Sequence, residues 1–250
     1  MEIWIILMLF GAGFLGGMAN ALAGGATLIT FPAMLASGLT PIIANASNAL
    51  AVLPGALMAA WADRSKLPPW SAAMAGILVA ALAGGAIGGV LLMMTSDRVF
   101  AVLVPALIGF ATLIFAFGKR IQKSVKGLAD GHAGLRIGLV LPATIYGGYF
   151  GAGLGVMLMA VLAITGHEEL RTANALKNVA STVANLTAVV IFVVQGLIAW
   201  PQTLVMLVGA ACGGFAGGKL IAVLPAQAVR TTIILIGCAM TVIYAAKAWF

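Results

Sequence analysis

Three asparagines, a lysine and a serine lie close together in the stretch RTANALKNVASTVAN, from Arg171 to Asn185, in an otherwise strongly apolar chain. Asn174, Asn178, Ser181 and Asn185 have spacings of four, three and four, so a helix places them on one face. Lys177 stands beside this face. Amides, a hydroxyl and an ammonium all donate hydrogen bonds, and the ammonium adds positive charge. Their combination predicts recognition of an anion.

Lys177 is the residue of this set that most needs an explanation. A charged side chain at membrane depth costs about 2.5–3.5 kcal/mol on insertion scales, so it needs a partner. We expect no carboxylate within an apolar run to pair with it, because the acidic residues that follow the first apolar run lie at connections: Asp63, Asp97, Asp130, Glu168 and Glu169. A bound anion is therefore its expected partner. The alternatives are that the side chain reaches the membrane interface, or that it pairs with Glu169 or a helix end.

A second polar group lies in the first half of the chain, in the stretch PIIANASNALAVLPG. It follows a glycine-interrupted apolar run, just as the first group follows another. Glycines at such breaks let the backbone N–H groups approach a ligand, although glycine also serves simply to pack membrane helices. The predicted binding set is Asn45, Ser47, Asn48, Asn174, Lys177, Asn178, Ser181, Gly24, Gly25 and Gly153.

The composition determines what kind of molecule positions these residues. Of 250 residues, 63% are hydrophobic and only 8% are charged, whereas a soluble domain has about a quarter charged residues. The chain therefore belongs in a bilayer. It has several apolar runs long enough to span a membrane, which is more than a single membrane anchor needs. The runs also lack the alternation of apolar and polar residues that is typical of the strands of a transmembrane barrel. We predict an all-α polytopic membrane protein.

Two apolar runs, 3–37 and 135–166, are too long for one crossing and are interrupted by glycine near their middles. A straight helix of such length would measure roughly 50 Å, while the hydrocarbon core is about 30 Å thick. Each run must therefore break or re-enter the membrane. Three further apolar runs follow each of them, and we expect these to be transmembrane helices.

The two halves of the chain share short motifs at one offset. GGAIGG at 84–89 returns as GGFAGG at 213–218, and Ala-Asn-Ala at 44–46 returns at 173–175. We predict a transmembrane repeat at 1–118, a basic cytoplasmic connection at 119–134 and a second repeat at 135–250. The positive-inside rule sets the connection in the cytoplasm. The charge balance favours inverted over parallel repeats.

Several function classes are excluded or disfavoured by the residues. The net charge of +7 comes from basic residues in short connections, which indicates membrane orientation and no nucleic-acid partner. With two histidines, both at connections, and no paired carboxylates in a span, we expect no enzyme, no metal site and no cofactor.

The stretches Thr30–Leu67 and Thr172–Trp200 resemble the TauE/SafE family of membrane anion transporters. This resemblance implies a secondary carrier of a small anion, typically sulfite or an organosulfonate. It also implies that Asn45, Ser47, Asn48, Asn174, Lys177 and Asn178 are the polar positions of the family. A passive anion channel is the alternative.

We expect a multi-pass protein of the inner (plasma) membrane. A proton or a sodium ion is considered as the coupling ion. The oligomeric state is open, with a homodimer considered.

Overall fold

The computed structural model describes residues 1–22, 25–126, 133–164, 169–220 and 226–249. These residues form helices and the connections between them. The helices are α1 (Ile3–Leu22), α2 (Thr27–Ala36), α3 (Pro41–Ala62), α4 (Ala72–Met94), α5 (Asp97–Val125), α6 (Ala133–Tyr149), α7 (Leu154–Ala163), α8 (Leu170–Val194), α9 (Trp200–Leu220) and α10 (Ala226–Trp249).

Both overlong apolar runs are broken, as predicted. The first becomes α1 and α2, and the second becomes α6 and α7. The second member of each pair has 10 residues and is therefore about 15 Å long, roughly half of a bilayer's hydrocarbon core. Three longer helices follow each pair, which gives the two halves the same order of elements.

Six helices in the described part of the chain are long and apolar enough to cross a membrane: α1, α3, α4, α5, α8 and α10. Large apolar side chains such as Val79 and Val194 are exposed on the outside of the bundle, as lipid-facing residues must be. Trp61, Trp70 and Trp200 are also exposed and lie at or beside helix ends, where indole rings favour the membrane interface. The chain is a multi-pass membrane protein.

Polar residues at the connections determine where several helices begin. Ser71 and Ser96 accept hydrogen bonds from the backbone N–H groups of Met74 and Val99, so they cap α4 and α5. Pro41 occupies the first turn of α3, where its missing N–H costs nothing. These local signals explain why the connections between the apolar runs are short.

Glycines allow the closest helix contacts. α1 packs along α9 and α4 packs along α6. A Cβ atom on Gly213 would collide with the backbone of Phe14 in α1, and one on Gly85 would collide with the backbone of Ala184 in α8. The two GGxxGG motifs therefore pack helices together.

The helices α3 and α8 run antiparallel along each other. Asp63, directly after α3, contacts Asn178 near the start of α8, whereas Ala56 in α3 contacts Thr182 farther along α8. Helices that occupy matching places in two inverted repeats must run in this way. The inverted repeat itself stays a prediction.

Candidate functional site

The two helix breaks are built on glycines with left-handed backbone angles. Gly25 has φ +87° before α2, while Gly151 and Gly153 have φ +82° and +80° before α7. Side-chain-bearing residues rarely adopt these angles, so the sequence needs glycine to turn the chain here. Gly24, the other predicted residue of the first break, lies outside the described residues.

A cavity of about 30 Å³ lies where both breaks meet α3 and α8. Its polar lining comes from Thr27 at the start of α2, Gly151 at the second break, Asn45 and Asn48 of α3, and Asn185 of α8. The amino-terminal end of α2 and the break that precedes α7 therefore line one polar space, beside Gly147 and Gly148 near the end of α6. The amino-terminal ends of helices carry unpaired N–H groups and partial positive charge, and both favour an anion.

Asn45 and Asn48 are the most buried amides of this lining, only 2% and 1% exposed. The Asn45 Nδ2 donates to the backbone oxygen of Tyr149 at 2.9 Å, which ties α3 to the end of α6. Neither Oδ1 atom has a hydrogen-bond partner among the residues that the structure describes. A buried acceptor of this kind favours a ligand or solvent molecule that can donate to it.

Ser47 does not join the cavity lining. Its Oγ accepts a hydrogen bond from the Ala199 N–H at 2.9 Å, and its side chain is completely buried. Ala199 directly precedes α9, so Ser47 satisfies a backbone donor at the start of that helix. In this structure the residue has a structural role.

The remaining predicted residues of α8 gather at its other end, around a carboxylate. Asn174 and Asn178 each donate from Nδ2 to Oδ2 of Asp63 at 2.9 Å. Lys66 forms an ion pair with Oδ1 of the same residue at 2.5 Å. The hydrogen bond from Lys66 lowers the pKa of Asp63 below its ordinary value, and the two amides act in the same direction, although burial opposes them.

Lys177 lies between this carboxylate and the second break. Its side chain passes Gly155 in the first turn of α7, and its ammonium interacts electrostatically with Asp63. The sequence predicts a bound anion as the partner of Lys177, and that stays a prediction; Asp63 is a further source of negative charge that the sequence analysis did not pair with it. Asp63 does lie at a connection, as expected, but the antiparallel packing of α3 on α8 brings it close to the lysine.

The polar face of α8 links the two places. Ser181 donates to the Asn178 backbone oxygen at 3.1 Å, and Asn185 reaches the cavity. Asn185 follows Asn174 by eleven positions, which corresponds to about 16 Å along a helix. The predicted residues therefore form a cavity group and an Asp63 group, connected by one helix face.

Arg230 in α10 is a further cation that the sequence patterns did not single out. Its Nη2 donates to the backbone oxygens of Phe115 and Ala116 at 3.1 and 3.2 Å. The Phe115 ring lies against Gly25, so Arg230 is close to the first break. In the sequence, Arg230 is a basic residue near the start of an apolar run. The positive-inside rule already explains such a residue, so the sequence offered no further sign of a role near the break.

No group of His, Cys, Asp or Glu that could hold a metal ion is found among the residues that the structure describes.

Comparison with known proteins identifies the family of the chain. The family model described as sulfite exporter TauE/SafE matches residues 9–244. A probable membrane transporter protein of Haemophilus influenzae is 28% identical over 95% of this chain and 93% of its own length. The probable membrane transporter protein YfcA of Escherichia coli K12 is 25% identical over 94% of this chain and 87% of its own. No solved structure matches.

Proposed function

Because the chain belongs to the sulfite exporter TauE/SafE family of membrane transporters, we propose that it is a secondary carrier of a small sulfur oxyanion. Sulfite or a sulfonate binds in the cavity between the two helix breaks and crosses the inner (plasma) membrane by alternating access between the two halves. Sulfite is the first choice because the family model's description names it.

The observation that carries this proposal is the cavity between the two breaks, which is lined both by Thr27 at the start of α2 and by Gly151 just before α7. An oxyanion accepts hydrogen bonds at every oxygen, and the ends of two short helices offer it N–H donors from two sides. The described lining holds no charged residue, so the helix dipoles and the N–H donors of the amides bind the anion without a permanent counter-ion, while water donates to the partnerless Oδ1 atoms of Asn45 and Asn48.

The size of the cavity supports a moving carrier. A volume of about 30 Å³ is roughly that of two water-sized probes. A sulfonate with its substituent needs more room, so α2 or α7 has to shift when the substrate enters. The left-handed glycines at both breaks are suitable hinges for such a shift.

Lys177 and the polar face of α8 provide the route between the cavity and the end of the helix where Asp63 lies. The ammonium attracts an anion along a face that otherwise offers amides and a hydroxyl. We infer that this end faces the cytoplasm, because Arg64 and Lys66 follow α3 there.

The direct test is the flux of radiolabelled sulfite and of a small sulfonate into proteoliposomes. Lys177→Gln should reduce uptake about tenfold or more, since it removes the charge on the route. Lys123→Gln is the matched control, because Lys123 is an exposed lysine in the last turn of α5, and it should leave uptake unchanged.

The same assay decides between mechanisms. A carrier shows saturable flux, counter-transport of unlabelled anion and a response to a proton or sodium gradient. Uncoupled flux far above carrier rates would instead identify a passive channel. Full uptake by Lys177→Gln would remove the charge role, and the absence of flux for every sulfur anion tested would overturn the substrate assignment.

A further inference from the structure

Asp63 satisfies the donors that the sequence predicts for the transported anion. Its Oδ2 accepts from both Asn174 and Asn178 at 2.9 Å, and its Oδ1 accepts from Lys66 at 2.5 Å. The ammonium of Lys177 adds a favourable electrostatic interaction. Two amides and one ammonium group therefore bind one carboxylate directly.

This donor set suits a carboxylate and a sulfur oxyanion equally well. Both ligands carry negative charge on oxygens that only accept hydrogen bonds, and both use paired N–H donors. The amides come from α8 and the carboxylate from the residue that ends α3. The contact therefore joins the two helices only as long as no other anion occupies the amides.

We propose that Asp63 is an internal competitor for the transported anion, which must displace the Asp63 carboxylate from Asn174 and Asn178 to pass this end of the route. The inference rests on the proposed function, because it assigns a competitor to the substrate of that route. It gives Asp63 control of anion affinity at this end, and it makes the junction of α3 and α8 open only when an anion is present.

The local geometry allows Asp63 and Lys66 to leave as a pair, so neither of these two charges loses its partner. The Asp63 side chain is 15% exposed and the Lys66 side chain 45% exposed, so the pair can turn toward solvent together. The amides, in contrast, remain on α8 and lose their acceptor when Asp63 leaves. Unsatisfied donors are costly, and an incoming oxyanion restores both hydrogen bonds at once.

Chemical rescue tests the proposal without knowledge of the natural substrate. Asp63→Ala removes the carboxylate and opens a space for formate. Sodium formate at about 100 times its dissociation constant should raise the melting temperature of detergent-purified Asp63→Ala by roughly 5–11 °C. Wild-type protein, whose amides are occupied, should respond much less.

The controls establish where formate acts. Sodium pivalate at the same ionic strength is a bulkier carboxylate and should not stabilise Asp63→Ala. Adding Asn174→Ala and Asn178→Ala to that variant should abolish the formate effect. Asp97→Asn removes a carboxylate at the opposite end of α3, where Asp97 accepts one hydrogen bond from the Ile42 N–H, and formate should not stabilise it.

A second variant covers the case in which Asp63→Ala does not fold. Asp63→Asn keeps the size of the side chain but removes its charge. Sulfite should therefore bind this variant at least about fivefold more tightly than it binds wild type, as a lower dissociation constant. An unchanged or higher dissociation constant would overturn the proposal, as would equal stabilisation of wild type and Asp63→Ala by formate. If formate rescues Asp63→Ala but no sulfur anion binds or crosses, the Asp63 site stands and the proposed substrate fails.

Discussion

The Nδ2 atom of Asn45 lies 2.9 Å from the backbone oxygen of Tyr149 and donates a hydrogen bond to it. The two residues are 104 positions apart, so this bond connects the first half of the chain to the end of α6. It also orients the amide, because a bonded Nδ2 leaves Oδ1 as the atom without a partner. Asn45 therefore both supports the fold and lines the cavity.

Asn45→Asp introduces a negative charge into the cavity with a side chain of nearly the same size. We expect uptake of sulfite or sulfonate to fall at least tenfold, because like charges repel in a buried space. Proteoliposome flux at saturating and low anion concentrations measures this.

Asn45→Ala separates the charge effect from the structural effect. It should lower the free energy of unfolding by about 1 kcal/mol through the lost hydrogen bond. Thr187→Ala is the control, because it removes a bond within one helix, from Thr187 to Val183. Wild-type flux in Asn45→Asp would show that the anion does not use this cavity.

Ser47→Ala should weaken the fold and leave anion binding intact. It leaves the Ala199 N–H without its acceptor, which costs about 1–3 kcal/mol for a buried donor. A lower melting temperature together with an unchanged half-saturating anion concentration is the expected pair of results. A changed half-saturating concentration with normal stability would instead return Ser47 to the binding set.

Gly153→Ala should impair the second break. Its φ of +80° costs a residue with a Cβ atom about 1–2 kcal/mol, so both stability and flux should decrease. Gly138→Ala is the matched control, since a Cβ there meets no atom within 4 Å. In the interior of α6 it should be neutral or stabilising by up to about 1 kcal/mol. Equal effects of the two substitutions would argue against a special role for the break.

The stabilising effect of Asp63 should depend on pH only in acid. Because Lys66 and the two amides lower its pKa in the folded protein, its contribution is complete above the unfolded pKa of about 3.9. It is lost as the pH falls through the lower, folded pKa. The difference in melting temperature between wild type and Asp63→Asn should therefore be constant from about pH 8 to pH 5 and shrink below about pH 4.

Lys66 is the charged group that lowers the pKa of Asp63, Arg64 follows Asp63 directly in the chain, Lys177 senses the charge of Asp63, and the neighbouring amides of Asn174 and Asn178 are neutral. A melting-temperature difference that changes between pH 5 and 8 would show that Asp63 binds a proton near neutrality. In that case Asp63 would be a proton carrier, contrary to the role of a permanent charge.

Arg230→Gln should lower stability by about 1–3 kcal/mol, because the carbonyls of Phe115 and Ala116 lose a charged donor. Arg230→Lys should restore part of the lost stability, because an ammonium also donates to carbonyls. The rescue should be incomplete, because the ammonium reaches them with a different geometry. Lys247→Gln, at an exposed position in the last turn of the same helix, should change stability by less than about 0.5 kcal/mol. Thermal unfolding in detergent compares the three variants.

The sequence by itself determined the helical membrane architecture, the two breaks and the polar face of α8. These features depend on local chemistry: apolar runs must satisfy their backbone within a helix in lipid, overlong runs must break, and glycine permits the turn. Helical spacing alone places Asn174, Asn178, Ser181 and Asn185 on one face.

Only the tertiary structure decided which of these residues meet. Ser47 and Asn48 are neighbours in sequence, yet successive helix positions point about 100° apart, and Ser47 contacts the start of α9 while Asn48 lines the cavity. Asp63 reaches Asn174 across 111 positions because α3 and α8 pack antiparallel. No local pattern encodes such a contact, since it depends on how two helices far apart in the chain are arranged against each other.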